Sequence, residues 1–495
     1  MIRNLGEVIP RDVAGDPSWL IEVGEGGATI FVSREEMHRQ ADAVALNLST
    51  RGMARGTRVA IVAANSWRYL VAYLGIMRAG YTALLISPKF TAQTVAEICD
   101  DNAVQLIFAD EEGAPKLEGK RFVRIDTDLG WESLLKFGEF RSVDMEPDEH
   151  ATILFTSGSA GKPKGVPLTH AGYVWAISTL GISGPPVKDR RVLVAAPLFH
   201  MNALVICLLT GHAGGTTVLM KRFNAADYLK AAAGLRCQLL TSVPTMLALA
   251  ARETEVLKQV DLSHVDSIFT GSSPSTEALF ERVGAMFPNA RVLNGYGTTE
   301  GGPVVFGPHP KGLPRPRLSL GYPAPGVEWR LADGQLPRQG VFQMRCKAVM
   351  PGYLNLPGET ERRLRDGWYD TGDVLQHDND GFFYFVGRSD DMFVCGGENI
   401  YPGEVEKLLE SHPAVGQAVV VPVADEIKGR LPAAFIVLKP GSSLDVEEVK
   451  QYALSKAPAY QHPRFVAFLQ EIPLAGPNKV DRKHLIQTAN AIFNR

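Results

Sequence analysis

The sequence has few cysteines for its length, and they lie far apart. Five cysteines occur among 495 residues, and no two of them form a C-x-x-C pair. Zinc knuckles use such pairs, and disulfide frameworks are typical of short secreted chains, so the pattern argues against both. A reducing compartment fits best, and we expect the protein to be cytoplasmic.

The sequence also lacks long apolar runs and a marked net charge. Its most apolar later stretch, residues 203–209, is far shorter than the roughly 20 residues that cross a bilayer. The first residues, 1–12, lack the apolar core of a signal peptide. We therefore expect no integral membrane contact. The net charge of -3 gives no sign of a nucleic-acid partner.

The sequence does contain a long alternation of strand-like and helix-like patterns. A helical stripe over residues 34–51 precedes a strand-like run at 58–63, and a second helical pattern covers 69–79. Alternation of this kind predicts mostly parallel sheets covered by helices. From about residue 323 the pattern changes to short strands and turns, and a polar junction follows at 387–391.

We therefore predict an α/β protein with more than one domain, because 495 residues exceed one ordinary core. The predicted N-terminal domain, residues 1–388, contains mixed and mostly parallel, helix-covered sheets plus a β-rich subdomain. The predicted C-terminal domain, residues 389–495, is a small α+β unit with its own helices and strands.

Residues 152–170 form the most informative stretch. An apolar run leads into a loop of hydroxyls, glycines and lysines, namely Thr156, Ser157, Gly158, Ser159, Gly161, Lys162, Lys164 and Gly165. Glycines let backbone N–H groups approach an anion, and hydroxyl and lysine side chains add donors and positive charge. The spacing differs from that of the nucleotide P-loop, because Pro163 interrupts it and no G-K-[ST] follows. Taken alone, the segment also fits a flexible surface loop.

The run T-S-G-S-A-G-K-P-K-G resembles the signature loop of the adenylate-forming superfamily, which includes acyl-CoA synthetases, aryl-CoA ligases, luciferases and peptide-synthetase adenylation domains. Ala160 stands where the family commonly has Thr or Ser, so the loop lacks one hydroxyl. The resemblance implies ATP and Mg²⁺ as cofactors, coenzyme A as co-substrate and a small carboxylic acid as substrate. It also implies that the C-terminal domain is mobile.

Five further motifs follow in the family's order. They are N-G-Y-G-T-T-E at 294–300, resembling Y-G-x-T-E; Y-D-T-G-D at 369–373, matching T-G-D; the hinge-like G-R-S-D-D-M at 387–392, with the glycine-led loop at 396–406; and Asn478-Lys479, resembling G-K with Asn in place of Gly. A carboxylate beside threonines suits Mg²⁺ held next to phosphate, and an ionised Asp suits ribose hydroxyls.

The resemblance implies a role for each matching residue. Catalytic roles fall to Lys479, Thr299, Glu300 and His200. ATP or AMP binding falls to Thr156, Ser157, Gly158, Ser159, Gly161, Lys164, Ser272, Ser273, Asn294, Gly295, Tyr296, Gly297, Thr298, Asp373 and Arg388. Thr156 and Glu300 would hold the metal, Gly396, Gly397 and Glu398 would line the coenzyme A tunnel, and Asp390 would be the hinge.

The acyl pocket is expected at His200, Met201, Gly271, Gly301 and Gly302, where His200 follows an aromatic residue as in the family. No Arg or Lys is evident in these wall segments to pair a second carboxylate. We therefore expect an apolar monocarboxylic acid, which means a benzoate, a hydroxycinnamate or a medium-chain fatty acid. A diacid is disfavoured.

The sequence thus predicts an ATP-dependent acid–CoA ligase, and two alternatives stay open. Gln461-His462 stands where relatives often carry a lysine, with Arg464 as a possible substitute, so the acceptor could be a separate carrier protein. A nucleotide-binding protein without catalysis is the second alternative, against which Lys479 and Glu300 together argue. The oligomeric state is open, a homodimer included.

Overall fold

The computed structural model describes residues 2–13, 18–156, 162–334, 336–395, 398–459, 461–475 and 480–493. The elements up to residue 183 are β1 Ser18–Val23, β2 Thr29–Ser33, α1 Arg34–Ser49, β3 Arg58–Val62, α2 Trp67–Arg78, β4 Thr82–Ile86, α3 Ala92–Asp101, β5 Leu106–Ala109, β6 Val123–Arg124, α4 Asp128–Glu132, β7 His150–Thr156, β8 Lys164–Thr169 and α5 His170–Ser183. Those up to residue 307 are β9 Arg191–Val194, α6 Met201–Ala213, β10 Thr216–Met220, α7 Ala225–Gly234, β11 Leu239–Ser242, α8 Pro244–Ala250, α9 Thr254–Leu257, β12 Ser267–Thr270, α10 Glu277–Met286, β13 Arg291–Asn294 and β14 Phe306–Gly307.

The remaining elements are mostly strands. They are β15 Tyr322–Pro323, β16 Glu328–Ala332, β17 Gln339–Arg345, α11 Pro357–Arg363, β18 Leu364–Arg365, β19 Trp368–His377, β20 Phe383–Arg388, β21 Phe393–Cys395, β22 Glu398–Ile400, α12 Pro402–Glu410, β23 Val415–Asp425, β24 Gly429–Leu438, α13 Val446–Lys456, β25 Phe465–Phe468 and α14 Arg482–Phe493. Short 3-10 turns occur at Leu5–Glu7, Glu25–Gly27 and Ala114–Lys116.

Two large sheets carry the N-terminal part of the chain. One has seven strands in the order β13-β12-β11-β9-β10-β1-β2, and the other has six in the order β6-β5-β3-β4-β7-β8. All neighbouring strands are parallel except β1 with β2 and β7 with β8. The predicted α/β fold with mixed, mostly parallel sheets is therefore confirmed. Because their strands are parallel, each sheet gathers several loops at one carboxyl edge.

The antiparallel strand β8 is the main element that the sequence pattern did not predict. It starts at Lys164, pairs with β7 and places Pro167 opposite Ile153. A proline cannot donate to a central ladder and speaks against a strand in a sequence pattern. In the structure β8 is the edge strand of its sheet, which explains why the proline is tolerated. The glycine-rich loop thus joins the two strands of a hairpin.

A β-rich region follows the large sheets, as predicted. Strands β16, β17, β18, β19 and β20 form an antiparallel sheet, and β14 pairs with β15. The chain leaves this sheet at Arg388 and enters a different one at Phe393, where strands β21 to β25 carry helices α12, α13 and α14. We propose the predicted boundary at 388/389 because the change of sheet falls there.

Two helices are buried on nearly all sides because they lie in the core. Every residue of α2 from Tyr69 to Arg78 is buried, and so is most of α6, which contains the apolar stretch noted in the sequence. A helix that is hydrophobic all round is buried in protein or in a membrane. Across the described ranges, no helix has the combined length and apolarity that crossing a membrane requires.

A buried amide joins the two large sheets. The side chain of Asn65, which follows β3, donates to the carbonyl oxygens of Ala196 at 2.9 Å and Met220 at 3.0 Å. Its own oxygen accepts the backbone N–H of Leu198 at 2.7 Å. Ala196 and Met220 lie just after or at the carboxyl ends of β9 and β10, so this amide sets where the two carboxyl edges meet.

A buried arginine organises the packing of α1 on α2. Arg78 is 0% exposed and donates to Asp42 at 2.8 Å, to the carbonyls of Gly6 and His38, and to Nδ1 of His38 at 2.7 Å. Arginine has only donors, so Nδ1 of His38 is the acceptor and the imidazole is neutral. Burial and the charge of Arg78 lower the pKa of His38 to about 3.

We predict that His38 makes the protein less stable in acid. Since its pKa is lower in the folded state, the unfolded chain binds the extra proton, and stability falls as the pH drops below about 6.5. This group alone would remove up to about 1.4 kcal/mol per pH unit. His38→Gln keeps an acceptor for Arg78 but does not titrate. Its melting temperature should therefore fall less between pH 7 and pH 5 than that of the wild type.

The exposed His484 on α14 provides the matched control. His484→Gln should keep the pH dependence of the wild-type melting temperature. Equal slopes for all three proteins, measured by differential scanning calorimetry, would contradict the role assigned to His38.

Candidate active site

Two neighbouring strands end in loops that approach each other through glycines. β12 and β13 are parallel, and Gly271 and Gly295 follow their last residues. A Cβ atom on Gly271 would lie 2.7 Å from the carbonyl oxygen of Gly295, and one on Gly295 would collide with the ring of Phe269. Ser272 adopts a positive φ of 68°, which is unusual for a residue with a side chain. These two predicted nucleotide loops are therefore packed backbone against backbone.

Thr156 and Glu300 meet although 144 residues separate them. The Thr156 hydroxyl, at the end of β7, donates to Oε1 of Glu300 at 3.4 Å. The Tyr353 hydroxyl donates to the same oxygen at 2.9 Å. The structure thus brings together the two residues predicted to hold a metal and adds a tyrosine beside them. Their role as metal ligands remains a prediction.

Lys164 opens β8 and lies in the same neighbourhood. Its Nζ pairs with Oε2 of Glu359 at 2.5 Å and lies 5.1 Å from the centre of the Tyr353 ring. Burial, together with the charges of Arg363 and Arg362, lowers the pKa of Lys164. The predicted phosphate-binding lysine is therefore a partly desolvated cation with a carboxylate partner from α11.

A third cluster contains the predicted adenine and ribose residues. The hydroxyl of Tyr296 donates to Oδ2 of Asp373, and Nη1 of Arg388 donates to Oδ1 at 2.7 Å. Arg388 also donates to the carbonyl of Thr371 at 2.9 Å. Burial raises the pKa of Asp373, and Arg388 opposes that shift. Tyr296, Asp373 and Arg388, which are far apart in sequence, thus form one hydrogen-bonded group.

The predicted hinge residue is tied to the same group. Oδ2 of Asp390 accepts from Arg363 at 2.8 Å and from Arg388 at 3.1 Å. Burial raises the pKa of Asp390, but the two arginines outweigh it and hold that pKa below its usual value. Asp390 lies between β20 of the β-rich sheet and β21 of the C-terminal sheet, and it is an ion-paired carboxylate.

The remaining predicted nucleotide residues lie in the same loops. Asn294 ends β13 and donates its amide to the carbonyl of Leu318 at 2.9 Å. Thr298 forms an isolated bridge with Gly302, and its hydroxyl accepts the N–H of Gly301 at 2.8 Å. Ser273 lies in the loop after β12, and Gly297 and Thr299 lie in the loop after β13. The contacts of Thr298 with Gly301 and Gly302 form a tight turn in the second loop.

The predicted acyl-pocket residues fall into two groups. His200 precedes α6, its ring centre lies 4.7 Å from that of Phe199, and Met201 is buried. A Cβ on Gly301 would lie 2.9 Å from Sδ of Met344, and one on Gly302 would lie 2.6 Å from the Ala348 Cβ. Packing against the β-rich region thus accounts for both glycines. Their role as pocket walls, like that of Gly271, remains a prediction.

Several predicted residues lie outside the described ranges. These are Ser157, Gly158, Ser159, Gly161, Gly396, Gly397 and Lys479. Glu398 opens β22 and is exposed. Their assigned roles remain predictions from the sequence.

Sequence reasoning missed Tyr353, Glu359 and Arg363. The segment around them reads as a turn followed by a short charged helix, which is usually a solvated surface. No local pattern distinguishes them, because their partners Glu300, Lys164 and Asp390 come from distant parts of the chain.

Comparison with known proteins adds to this geometry. The profile of the AMP-binding enzyme family matches residues 18–354, and that of the AMP-binding enzyme C-terminal domain matches residues 404–479. The first match alone spans more than half of the chain. The chain belongs to the AMP-binding enzyme family. Its predicted membership of the adenylate-forming superfamily of ATP-utilising acid ligases is confirmed, which argues against a nucleotide-binding protein without catalysis.

Curated relatives of this AMP-binding enzyme cover nearly its whole length. A 4-coumarate–CoA ligase of Vanilla planifolia is 30% identical over 476 residues, covering 89% of this chain and 86% of the relative. A feruloyl-CoA synthase of an Amycolatopsis species is 31% identical over 474 residues, covering 92% and 94%. A fatty acid–[acyl-carrier-protein] ligase, ScoC of Streptomyces coeruleorubidus, is 30% identical over 470 residues, covering 91% and 90%.

Solved structures show the same fold. The anthranilate CoA ligase AuaEII in complex with anthranoyl-AMP superposes with a TM-score of 0.88 at 22% identity, covering 99% of this chain and 98% of that one. ATP-bound MatB from Rhodopseudomonas palustris superposes with a TM-score of 0.87 at 25% identity, covering 100% of both chains. The AMP-binding enzyme therefore has the two-domain architecture of adenylate-forming enzymes.

We predict that Gly372→Ala weakens ATP binding in this AMP-binding enzyme. Gly372 has a φ of 68°, and a Cβ there would lie 2.5 Å from Nη1 of Arg363 and 3.0 Å from Nη2 of Arg388. Displacing these arginines should weaken binding of ATP roughly 10-fold or more, the scale for losing one charged hydrogen bond. Isothermal titration calorimetry with ATP measures the change.

Gly367→Ala is the matched control. Gly367 has a φ of 76°, but a Cβ there would meet only Cδ of Arg345, at 3.7 Å. Both variants should lose about 1–2 kcal/mol of stability, because alanine disfavours this backbone region. Only Gly372→Ala should lose ATP affinity, and equal affinities in both variants would show that the arginines are not involved.

Proposed function

We propose that the protein is an AMP-forming acid–CoA ligase that acts on an apolar monocarboxylic acid. The observation that carries the proposal is the meeting of Thr156 and Glu300, together with the hydrogen-bonded group of Tyr296, Asp373 and Arg388. The first pair would hold phosphate and metal, and the second group would hold the nucleoside of the same ATP. This is the arrangement that an ATP-dependent activation of a carboxylate requires.

The first half-reaction is adenylation. A carboxylate oxygen of the acid attacks the α-phosphorus of ATP, the bond from that phosphorus to the bridging oxygen breaks, and pyrophosphate leaves with the electron pair. This attack brings anions together, so the site has to neutralise charge and fix geometry. Lys164 and Lys479 would supply positive charge, and Tyr296, Asp373 and Arg388 would orient the adenosine.

The donor set fits a magnesium ion that arrives with the nucleotide. Mg²⁺ prefers one or two carboxylates together with phosphate oxygens and water, and Glu300 with Thr156 offers one carboxylate and one hydroxyl. In the described part of the chain, no group of three or more His, Cys, Asp or Glu side chains could hold a metal. When bound, the ion would neutralise phosphate charge, with Glu300 and Thr156 holding it.

The second half-reaction transfers the acyl group to a thiol. The sulfur attacks the acyl carbonyl of the adenylate, AMP leaves, and the thiol proton is released to solvent. The resemblance implies that the C-terminal domain rotates about the hinge between the two half-reactions. This rotation would move Lys479 out of the site and bring in the loop at 396–398. Asp390, held by Arg363 and Arg388, is the residue about which we propose that this rotation occurs.

The substrate proposal rests on charge. Around His200, Met201, Gly271, Gly301 and Gly302 the sequence has no Arg or Lys to pair a second carboxylate, which favours a monoacid. The relatives named for 4-coumarate and ferulate support a hydroxycinnamate or a similar aryl acid, and the relative named for a fatty acid supports an aliphatic one.

The acceptor proposal favours coenzyme A. Gln461 stands where relatives often carry a lysine, and Nε2 of the next residue, His462, accepts from Nη1 of Arg464 at 3.1 Å. His462 therefore holds a neighbouring positive charge in place, and that charge could serve the phosphates of coenzyme A. A carrier-protein thiol is the second candidate, because ScoC is named as a carrier-protein ligase.

Pyrophosphate release over a panel of acids tests the proposal. Benzoates, hydroxycinnamates, linear fatty acids and dicarboxylates would each be assayed with and without coenzyme A. We expect release for an apolar monoacid that speeds up with coenzyme A and yields a thioester. Pyrophosphate release without a thioester would favour a carrier protein as the acyl acceptor. Release with none of these acids would overturn the proposal.

Lys479→Ala should slow adenylation by about 10²–10³-fold, the scale for losing one preorganised charge-stabilising donor. Thioester formation from a supplied acyl-adenylate should be much less affected, since the lysine serves only the first half-reaction. Lys483→Ala, an exposed lysine on α14, is the control and should leave both rates unchanged. Normal adenylate formation by Lys479→Ala in rapid-quench measurements would contradict the assignment.

A further inference from the structure

Glu359 forms an ion pair with Lys164, the side chain that is predicted to bind phosphate. The Lys164–Glu359 ion pair is 2.5 Å long, and its side chains are only 17% and 20% exposed. Exposed ion pairs are screened by water and contribute little, but this one is largely sheltered. The contact is therefore a defined feature of the site.

The surroundings hold Glu359 in place. Tyr353 lies beneath the Lys164 ammonium, its N–H donates to Oγ1 of Thr360 at 2.9 Å, and its hydroxyl donates to Glu300. The N–H of Leu354, three residues before α11, donates to the carbonyl of Gly165 at 2.9 Å, which ties the segment leading into α11 to β8. Glu359 also pairs with Arg362 one turn along α11. The carboxylate is thus presented to Lys164 by the short helix α11, whose approach these contacts define.

The same ammonium cannot serve a carboxylate and a phosphate equally well. A phosphate that approaches Lys164 meets the negative charge of Glu359, and the ammonium has to turn from one anion to the other. Without any partner, a desolvated lysine would be costly in the empty enzyme. Glu359 removes that cost in the resting enzyme and opposes phosphate when it arrives.

We propose that Glu359 is a built-in competitor for Lys164 and thereby limits the affinity of the site for ATP and pyrophosphate. The proposal rests on the proposed function, in which pyrophosphate is a product that has to leave. After adenylation, renewed pairing of Glu359 with Lys164 would favour the departure of pyrophosphate. AMP and the acyl-adenylate lack the β- and γ-phosphates, so Glu359 affects them far less.

The variant Glu359→Gln tests this inference through binding rather than turnover. Calorimetry with the full-length enzyme and Mg²⁺ would compare ATP, pyrophosphate and AMP. ATP and pyrophosphate should bind roughly 5- to 10-fold more tightly to the variant, the scale of a partly buried ion pair, and AMP should bind unchanged. In turnover assays, inhibition by pyrophosphate should strengthen by a similar factor.

Glu361→Gln is the matched control, because Glu361 lies two residues further along α11 and is exposed. It removes the same charge from the same helix and should change none of the three affinities. Lys164→Ala provides the second comparison, since the effect of Glu359→Gln should shrink by more than half in that background.

Three outcomes would overturn the inference. Unchanged or weaker ATP binding by Glu359→Gln would mean that Glu359 positions Lys164 and does not compete for it. Equal tightening of AMP, or an equal effect in the Lys164→Ala background, would mean that the charge acts on the whole site. Failure of the proposed function would appear separately, as wild-type enzyme that binds ATP but releases no pyrophosphate with any acid.

Discussion

The amide of Asn65 determines how the two large sheets meet. Its two donors and its acceptor are all used, by Ala196, Met220 and Leu198, and the side chain is 3% exposed. Leaving one such buried group unpaired costs about 1–3 kcal/mol, so the bonds are satisfied together in one mutual placement of the sheets. The segment that leads to His200 is thereby held against the sheet whose strand β7 ends at Thr156. Two predicted site residues, His200 and Thr156, therefore come from segments that belong to the two sheets joined by this amide.

Charge pairing within the protein is the second property of the site. Lys164 pairs with Glu359, Arg388 with Asp373, and Asp390 with Arg363, while Glu300 accepts from two hydroxyl groups. Partly buried charges are stable only when paired, so this network keeps the site folded before any substrate arrives. Under the proposed function, a nucleotide would bind by exchanging partners, and its affinity would be the difference between the new contacts and those that it replaces.

The glycines of the candidate site illustrate how packing and function overlap. The sequence suggested that Gly271, Gly301 and Gly302 leave room for an acyl group. In the structure, the positions of their missing Cβ atoms face Gly295, Met344 and Ala348. Close packing, against backbone at Gly271 and against side chains at Gly301 and Gly302, is a sufficient reason for each glycine. The shape of the proposed acyl pocket is therefore better judged from His200, which precedes α6, and Met201, which begins it, than from these three positions.

The sequence by itself determined the fold class, the superfamily and the order of the motifs, because periodicity and short motifs are local properties. It predicted helix α1 at 34–51 where the structure has Arg34–Ser49, and a strand at 58–63 where the structure has Arg58–Val62. It missed β8, since Pro167 is acceptable only at a sheet edge and the edge is a property of the whole sheet. Tertiary structure alone decided that Tyr353 reaches Glu300, that Glu359 reaches Lys164 and that Arg363 reaches Asp390. Each of these contacts joins segments whose separation in the chain hides their proximity, and only the packing of β8, α11 and the β-rich region brings them within hydrogen-bonding distance.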